Sequence, residues 1–152
     1  MTNLKPGDKA PGFSFENSEG ETISLNNFIG EKLILYFYPK DNTPGCTAEA
    51  CNLRDNYQIL KNKGFEIIGV SPDANISHIK FSAKLDLPFM LIPDTEKIIL
   101  KNYEAWGEKK IFGKIKEGVL RTTFIIDESG KIEHIFKKVQ TKDHAKQILS
   151  KY

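Results

Sequence analysis

The chain lacks most of the features that would mark an unusual class of protein. Basic and acidic residues nearly balance, 22 against 20, for a net charge of +2. Taken over the whole chain, this surplus is too small and too evenly spread to predict a nucleic-acid or membrane partner. No repeat, low-complexity segment or linker interrupts the sequence. The longest apolar run, Leu33-Ile-Leu-Tyr-Phe-Tyr38, has the length of a buried strand and is far too short to cross a bilayer. Residues 1–10 hold no apolar stretch that could act as a signal segment, so a cytoplasmic protein is expected. The three histidines, His78, His134 and His144, are scattered without ligand spacing and predict no metal site. Cysteine is scarce: there are two, Cys46 and Cys51, five residues apart. In a reducing compartment structural disulfides are rare, and a close cysteine pair points to redox or metal chemistry.

What is present describes an ordinary globular chain of 152 residues, 39% hydrophobic and 28% charged, which suits a single domain over 1–152. Phe13 and Phe15, a turn at Asn17-Ser-Glu-Gly20 and Thr22–Leu25 read as an N-terminal β-hairpin. Lys32–Tyr38 is a strand ended by Pro39, followed by one long helix from about 44 to 63 that stops at Gly64. A strand at 65–71, a helix at 75–85, a strand at 89–92 and a short helix to about 102, capped by Asp94, come next. Residues 103–118 are rich in Gly and Lys, contain the only tryptophan, Trp106, and are expected to form a loop. The segments 119–126 and 131–139 form a hairpin across Asp127-Glu-Ser-Gly130, and a last helix runs from about 142 to 151. Strand–helix–strand units closed by a hairpin and a helix predict an α/β protein, its apolar strands covered on both faces. This is a thioredoxin-like fold: a central mixed sheet flanked by helices, with an added N-terminal β-hairpin.

The helix carrying the cysteines is the informative element. Thr43 suits its N-cap and Pro44 its first position, which puts Cys46 in the first turn. Unpaired amides and the positive end of the helix dipole favour a thiolate there. At about 100° per residue, Cys46, Ala50, Leu53, Tyr57 and Leu60 form one apolar stripe. Cys51 lies roughly 140° away, among Thr47, Asp55, Gln58 and Asn62. Five residues along a helix separate two Cα atoms by roughly 8–9 Å, whereas a disulfide needs them within about 7 Å. The two sulfurs therefore cannot bond while the helix is intact.

Tyr36-Phe-Tyr-Pro-Lys-Asp-Asn-Thr-Pro-Gly-Cys-Thr-Ala-Glu-Ala-Cys51 resembles the active-site signature of peroxiredoxins of the bacterioferritin comigratory protein, or peroxiredoxin Q, subfamily. Pro39, Thr43 and Cys46 meet the general pattern, and the second cysteine five residues on is the subfamily mark. Ser71-Pro-Asp73, Leu87-Pro-Phe89, Trp106-Gly-Glu-Lys-Lys110 and Arg121-Thr-Thr-Phe-Ile-Ile-Asp127 extend the match over nearly the whole chain. The resemblance implies reduction of hydrogen peroxide and organic hydroperoxides without metal or organic cofactor. Cys46 would be the peroxidatic cysteine, oxidised to a sulfenic acid, and Cys51 the resolving cysteine. Thioredoxin is the implied reductant, the helix is expected to open during the cycle, and a monomer is implied.

Further roles follow from the same resemblance. Arg121, charged within an otherwise apolar segment, is the candidate cation for the thiolate and peroxide. Thr43 orients the peroxide in such proteins, although helix capping is an alternative role here. Pro39 shields the pocket from water. Glu49 either joins a network with Arg121 or is a solvated helix carboxylate. Trp106 is expected to be a packing residue. Two other functions fit the same fold. A thiol–disulfide oxidoreductase would use C-x-x-C, which the spacing here disfavours, and a redox-sensing or chaperone-like module would consume peroxide without turnover.

Overall fold

In a computed structural model, which describes residues 2–17 and 19–152, the chain folds around one five-stranded mixed sheet. Strands β1 (Ser14–Glu16) and β2 (Thr22–Ser24) form the expected N-terminal hairpin; Ser18, expected in its turn, lies outside the described residues. A 3-10 turn at Leu25–Phe28 leads into β3 (Lys32–Phe37). The cysteine helix α1 (Pro44–Asp55) and a shorter α2 (Tyr57–Asn62) follow. Then come β4 (Phe65–Ser71), α3 (Asn75–Leu85), β5 (Met90–Pro93) and α4 (Ile98–Asn102). Strands β6 (Trp106–Ile111) and β7 (Lys114–Val119) precede β8 (Thr122–Ile126), β9 (Ile132–Phe136) and α5 (His144–Leu149). The sheet order is β5-β4-β3-β8-β9, with β3, β4 and β5 parallel and β8 and β9 antiparallel to their neighbours.

Alternation along β3 divides the core into two. Leu33, Leu35 and Phe37 face a cluster with Phe13, Leu25, Leu100, Tyr103 and Val119. Ile34, Tyr36 and Tyr38 face the other cluster, built from α1, α2, α3 and α5, which contains Cys46, Ala50 and Leu53. The sheet is thus buried on both faces, as its continuous apolar strands require.

Two expectations are corrected. The single helix 44–63 is interrupted at Asn56, whose backbone (φ −107°, ψ 9°) leaves helical geometry. The Asn56 side chain donates to the Asn52 carbonyl at 2.8 Å and its own amide to the same oxygen at 3.2 Å, so a short polar side chain shares the last rung of α1. Residues 103–118 are not a loop: β6 and β7 pair across a two-residue turn, Phe112-Gly113, with φ of 52° and 78°. Two successive left-handed residues make the tight reversal that suits the twist of a hairpin. Asp94 does cap α4, its carboxylate accepting from the Ile99 and Leu100 amides at 3.2 and 2.8 Å. Trp106 packs half-buried against the first core cluster.

Candidate active site

Helix α1 begins at Pro44, so Cys46 occupies its first turn as expected, and Thr43 has the extended N-cap conformation (φ −101°, ψ 156°). The Thr47 amide donates to the Thr43 carbonyl at 2.8 Å, and the amides of Gly45 and Cys46 precede that first rung. The Thr43 hydroxyl does not cap the helix. It donates back to the Lys40 carbonyl at 2.8 Å, closing the loop that carries it.

Cys46 is buried, with 2% exposure. Arg121 Nη2 donates to its Sγ at 3.3 Å, while Nη1 donates to Glu49 Oε1 at 2.7 Å. Arg121 was expected inside a strand, but β8 starts one residue later, and Arg121 sits in the link after β7. A Cβ on residue 45 would come within 3.3 Å of Nη2, so Gly45 leaves the guanidinium room to approach the sulfur. Burial works against the arginine's charge, but Glu49 and Cys46 outweigh it and hold its proton more tightly than usual.

Glu49 is the buried partner of Arg121, not a solvated carboxylate: its exposure is 0%. Burial pushes its carboxyl up to about 7, against the opposing pull of Arg121. Its Oε2 has no hydrogen-bond partner among the described residues and lies 3.8 Å from His144 Nε2. His144 is itself buried and pinned on both sides. Gln147 Oε1 accepts from the Gln140 amide at 3.0 Å and lies 2.8 Å from His144 Nδ1, which therefore carries the proton. Nε2 then accepts from the Thr123 hydroxyl at 2.8 Å. Burial brings His144 down to about 4, so the neutral ring is favoured.

Beside Arg121 an open groove of about 510 Å³ is lined by Pro39, Glu108, Lys109, Leu120 and Lys137 among others. Lys109 donates to the Val119 carbonyl at 3.0 Å. Burial, followed by the neighbouring Arg121, lowers its pKa. Below the loop, Asp41 accepts from the Tyr38 hydroxyl at 2.6 Å and the Ser77 hydroxyl at 2.8 Å, and lies 2.7 Å from His78 Nδ1. Burial raises the Asp41 pKa, but the bonds from His78, Tyr38 and Ser77 outweigh it and leave it below the ordinary value. Ligand atoms of Asp41, Asp73 and His78 lie within 4.8 Å of one another. They are engaged with one another and with Tyr38, Ser71 and Ser77, which makes the cluster an anchor for the 39–43 loop.

Cys51 is different. Its thiol and that of Cys46 are both free. It was expected on a polar face, yet it is half-buried and packs at the margin of the cluster that holds Cys46. Both residues lie in the unbroken turns of α1, so the separation derived from helix geometry stands. The adjacent Asn52 grips α5: its Nδ2 donates to the Lys142 carbonyl at 3.2 Å and its Oδ1 accepts from the Ala145 amide at 2.8 Å.

Of the residues singled out from sequence, the fold brings Cys46, Arg121 and Glu49 into direct contact, with Pro39 on the groove that Arg121 borders. Thr43 lies at the mouth of α1, and Cys51 stands apart. Thr123 and Asn52 had no local signal, because their partners lie 21 to 93 residues away, and the local pair of His144 with Gln147 does not reveal its contact with Thr123.

A buried thiol at a helix start, hydrogen-bonded to an arginine that a buried carboxylate holds from behind, defines a thiol enzyme. The chain belongs to the AhpC/TSA family, whose family model matches residues 6–135, and it is a peroxiredoxin. Peroxiredoxin Bcp of Escherichia coli (strain K12) is 41% identical over 150 residues, covering 99% of this chain and 96% of that one. Peroxiredoxin Bcp of Bacillus subtilis (strain 168) is 43% identical over 146 residues, covering 96% and 93%. The solved bacterioferritin comigratory protein of Xanthomonas campestris superposes with a TM-score of 0.84 at 32% identity, covering 91% of this chain and 88% of that one. The thioredoxin-like fold expected from the order of elements is thus the fold of its relatives.

Proposed function

We propose that Cys46 is the peroxidatic cysteine and Cys51 the resolving cysteine of a thioredoxin-recycled peroxidase acting on hydrogen peroxide and organic hydroperoxides. The observation that carries this reading is the 3.3 Å contact between Arg121 Nη2 and Cys46 Sγ, with Glu49 fixing the other arm of the guanidinium. A permanently charged fork beside the sulfur stabilises the thiolate, which is the reactive form. The Xanthomonas relative has alkyl peroxide reduction activity, which supports extending the substrate to organic hydroperoxides.

The thiolate attacks the terminal peroxide oxygen, forming an S–O bond as the O–O bond breaks. Cys46 becomes a sulfenic acid, and the departing alkoxide or hydroxide takes a proton to leave as alcohol or water. Arg121 stabilises the negative charge as it moves onto the leaving oxygen. Thr43 orients the peroxide at the helix mouth, and Pro39 limits water on the groove side. Next the Cys51 sulfur attacks the sulfenic sulfur, releasing water and forming the Cys46–Cys51 disulfide. The dithiol of thioredoxin then reduces that disulfide, returning two electrons. No metal or organic cofactor enters this scheme, and a cytoplasmic monomer is part of the same reading.

Because α1 holds the cysteines too far apart, the second step needs its first turns to open. Steady-state peroxide consumption with thioredoxin, combined with mass analysis of the oxidised chain, tests the scheme. Continuous turnover and a Cys46–Cys51 link are expected. Turnover without that link removes Cys51 from the resolving role, and stoichiometric consumption alone removes the enzyme cycle.

A further inference from the structure

The charge balance of the whole chain conceals a local imbalance. Residues 109–116, Lys-Lys-Ile-Phe-Gly-Lys-Ile-Lys, carry four lysines and no acid, leaving eighteen basic against twenty acidic residues elsewhere. This stretch is the tip of the β6–β7 hairpin, a two-stranded sheet separate from the central one. Phe112 at its apex is 101% exposed and Ile115 is 70% exposed, the two most exposed large apolar side chains among the described residues. Ile111 adds a third, at 38%.

Packing does not explain these residues. Phe112 sits at φ 52°, a region that a bulky side chain rarely adopts and in which Asn or Gly is preferred. The turn is therefore strained by a residue whose side chain is fully exposed. Lys109 is turned inward to the Val119 carbonyl, whereas Lys110, Lys114 and Lys116 are exposed around the apex. Glu108 and Glu117 pair further down the strands, away from the tip.

We propose that this hairpin docks the protein peripherally on an anionic lipid bilayer. Phe112 and Ile115 enter the boundary between headgroups and acyl chains, while Lys110, Lys114 and Lys116 meet lipid phosphates. An apolar apex ringed by lysines complements such a surface in both charge and polarity. A single-stranded nucleic acid would match the lysines and stack a base on Phe112, but the exposed aliphatic Ile111 and Ile115 offer nothing to a base and suit the headgroup–acyl boundary. No helix among the described residues is long and apolar enough to span a membrane, so the attachment is superficial, reversible and sensitive to salt. Each strand has six residues, so the groove that Lys109 shares with Arg121 would lie within about 20 Å of the lipid.

The test is sedimentation of the full reduced chain with vesicles of phosphatidylcholine alone or with roughly one-third phosphatidylglycerol. It reads binding and not turnover, so its outcome is independent of the cysteine chemistry. At low salt the phosphatidylglycerol vesicles should bind about 10-fold more protein than phosphatidylcholine vesicles, and salt at about 0.5 M should remove most of the difference. Phe112→Asn creates the Asn-Gly pair that this turn favours, so it preserves the hairpin while deleting the apex. It should lower binding about 10-fold and leave hydrogen peroxide turnover in solution unchanged. Lys110→Gln/Lys114→Gln/Lys116→Gln should abolish binding. Equal binding to both vesicle types overturns the proposal. So does a Phe112→Asn variant that binds like wild type, above all if a short RNA competes fully, since the tip would then be a general polyanion patch.

Discussion

Cys46 and Cys51 lie in the same helix, one turn and a half apart, yet their surroundings share little. Cys46 is buried, hydrogen-bonded to Arg121 and backed by a chain of polar residues through Glu49 to His144 and Thr123. Cys51 is half-buried, makes no side-chain hydrogen bond among the described residues, and adjoins Asn52, which ties α1 to α5. In the proposed cycle the first step of the oxidation belongs to Cys46, and Cys51 waits on the opening of the helix. On that reading, reactivity at Cys46 depends on fixed charge and at Cys51 on the opening of α1.

Substitutions should separate the two ends. Cys46→Ser should reduce peroxide consumption by at least about 10⁴-fold, since the proposed cycle takes its nucleophile from Cys46; a residual rate within tenfold of wild type would move the chemistry elsewhere. Arg121→Ala should slow the single-turnover peroxide step by about 100-fold, the scale of removing one preorganised charge donor. Arg121→Lys should restore little, because a point charge cannot hold sulfur and Glu49 together. Stopped-flow measurement of Cys46 oxidation gives both values, and an unchanged rate removes Arg121 from the site. Cys51→Ser should spare that first step within about threefold while steady-state turnover with thioredoxin falls about 10-fold or more. Normal cycling in this variant would erase the distinction between the cysteines.

The last effect falls on stability and not on rate, and it concerns the polar chain behind Cys46. His144 is brought down to about 4 from an ordinary 6.5, mainly by burial, so the fold favours its neutral form. A depressed pKa contributes stability that is complete above pH 6.5 and is lost as the pH falls toward 4. The loss is on the order of 3 kcal/mol. Urea midpoints at pH 7 and pH 4.5 should fall further for wild type than for His144→Gln, which keeps polar partners for Thr123 and Gln147 but does not titrate. Parallel midpoints would mean that the ring is charged or hydrated in the fold.

Elements whose own residues settle their structure were legible in sequence. Strand β3 announces itself by six apolar residues before a proline, and α3 has its expected bounds of Asn75–Leu85. Cys46 could be placed because Thr43-Pro44 starts a helix by local rules. The β6–β7 hairpin was missed because it stands outside the sheet, so its strands lack the buried alternation that signals pairing, and its glycines and lysines read as a loop. The break at Asn56 accompanies one short side chain that shares the Asn52 carbonyl with its own amide, and the sequence around it keeps a helical pattern. Glu49 could not be assigned because its partner is 72 residues away, and nothing local distinguishes a buried helix carboxylate from a solvated one.

The central claim is that the Cys46–Cys51 disulfide and an intact α1 exclude each other. Hydrogen exchange of the α1 amides, measured on the reduced chain and again after one equivalent of peroxide, tests it directly. Mass analysis of the same oxidised sample reports the disulfide. Protection across 44–52 should collapse as the disulfide forms, with protection at the start of α5 weakening as the Asn52 bonds are released. A Cys46–Cys51 disulfide that forms while α1 keeps its full protection would contradict the account.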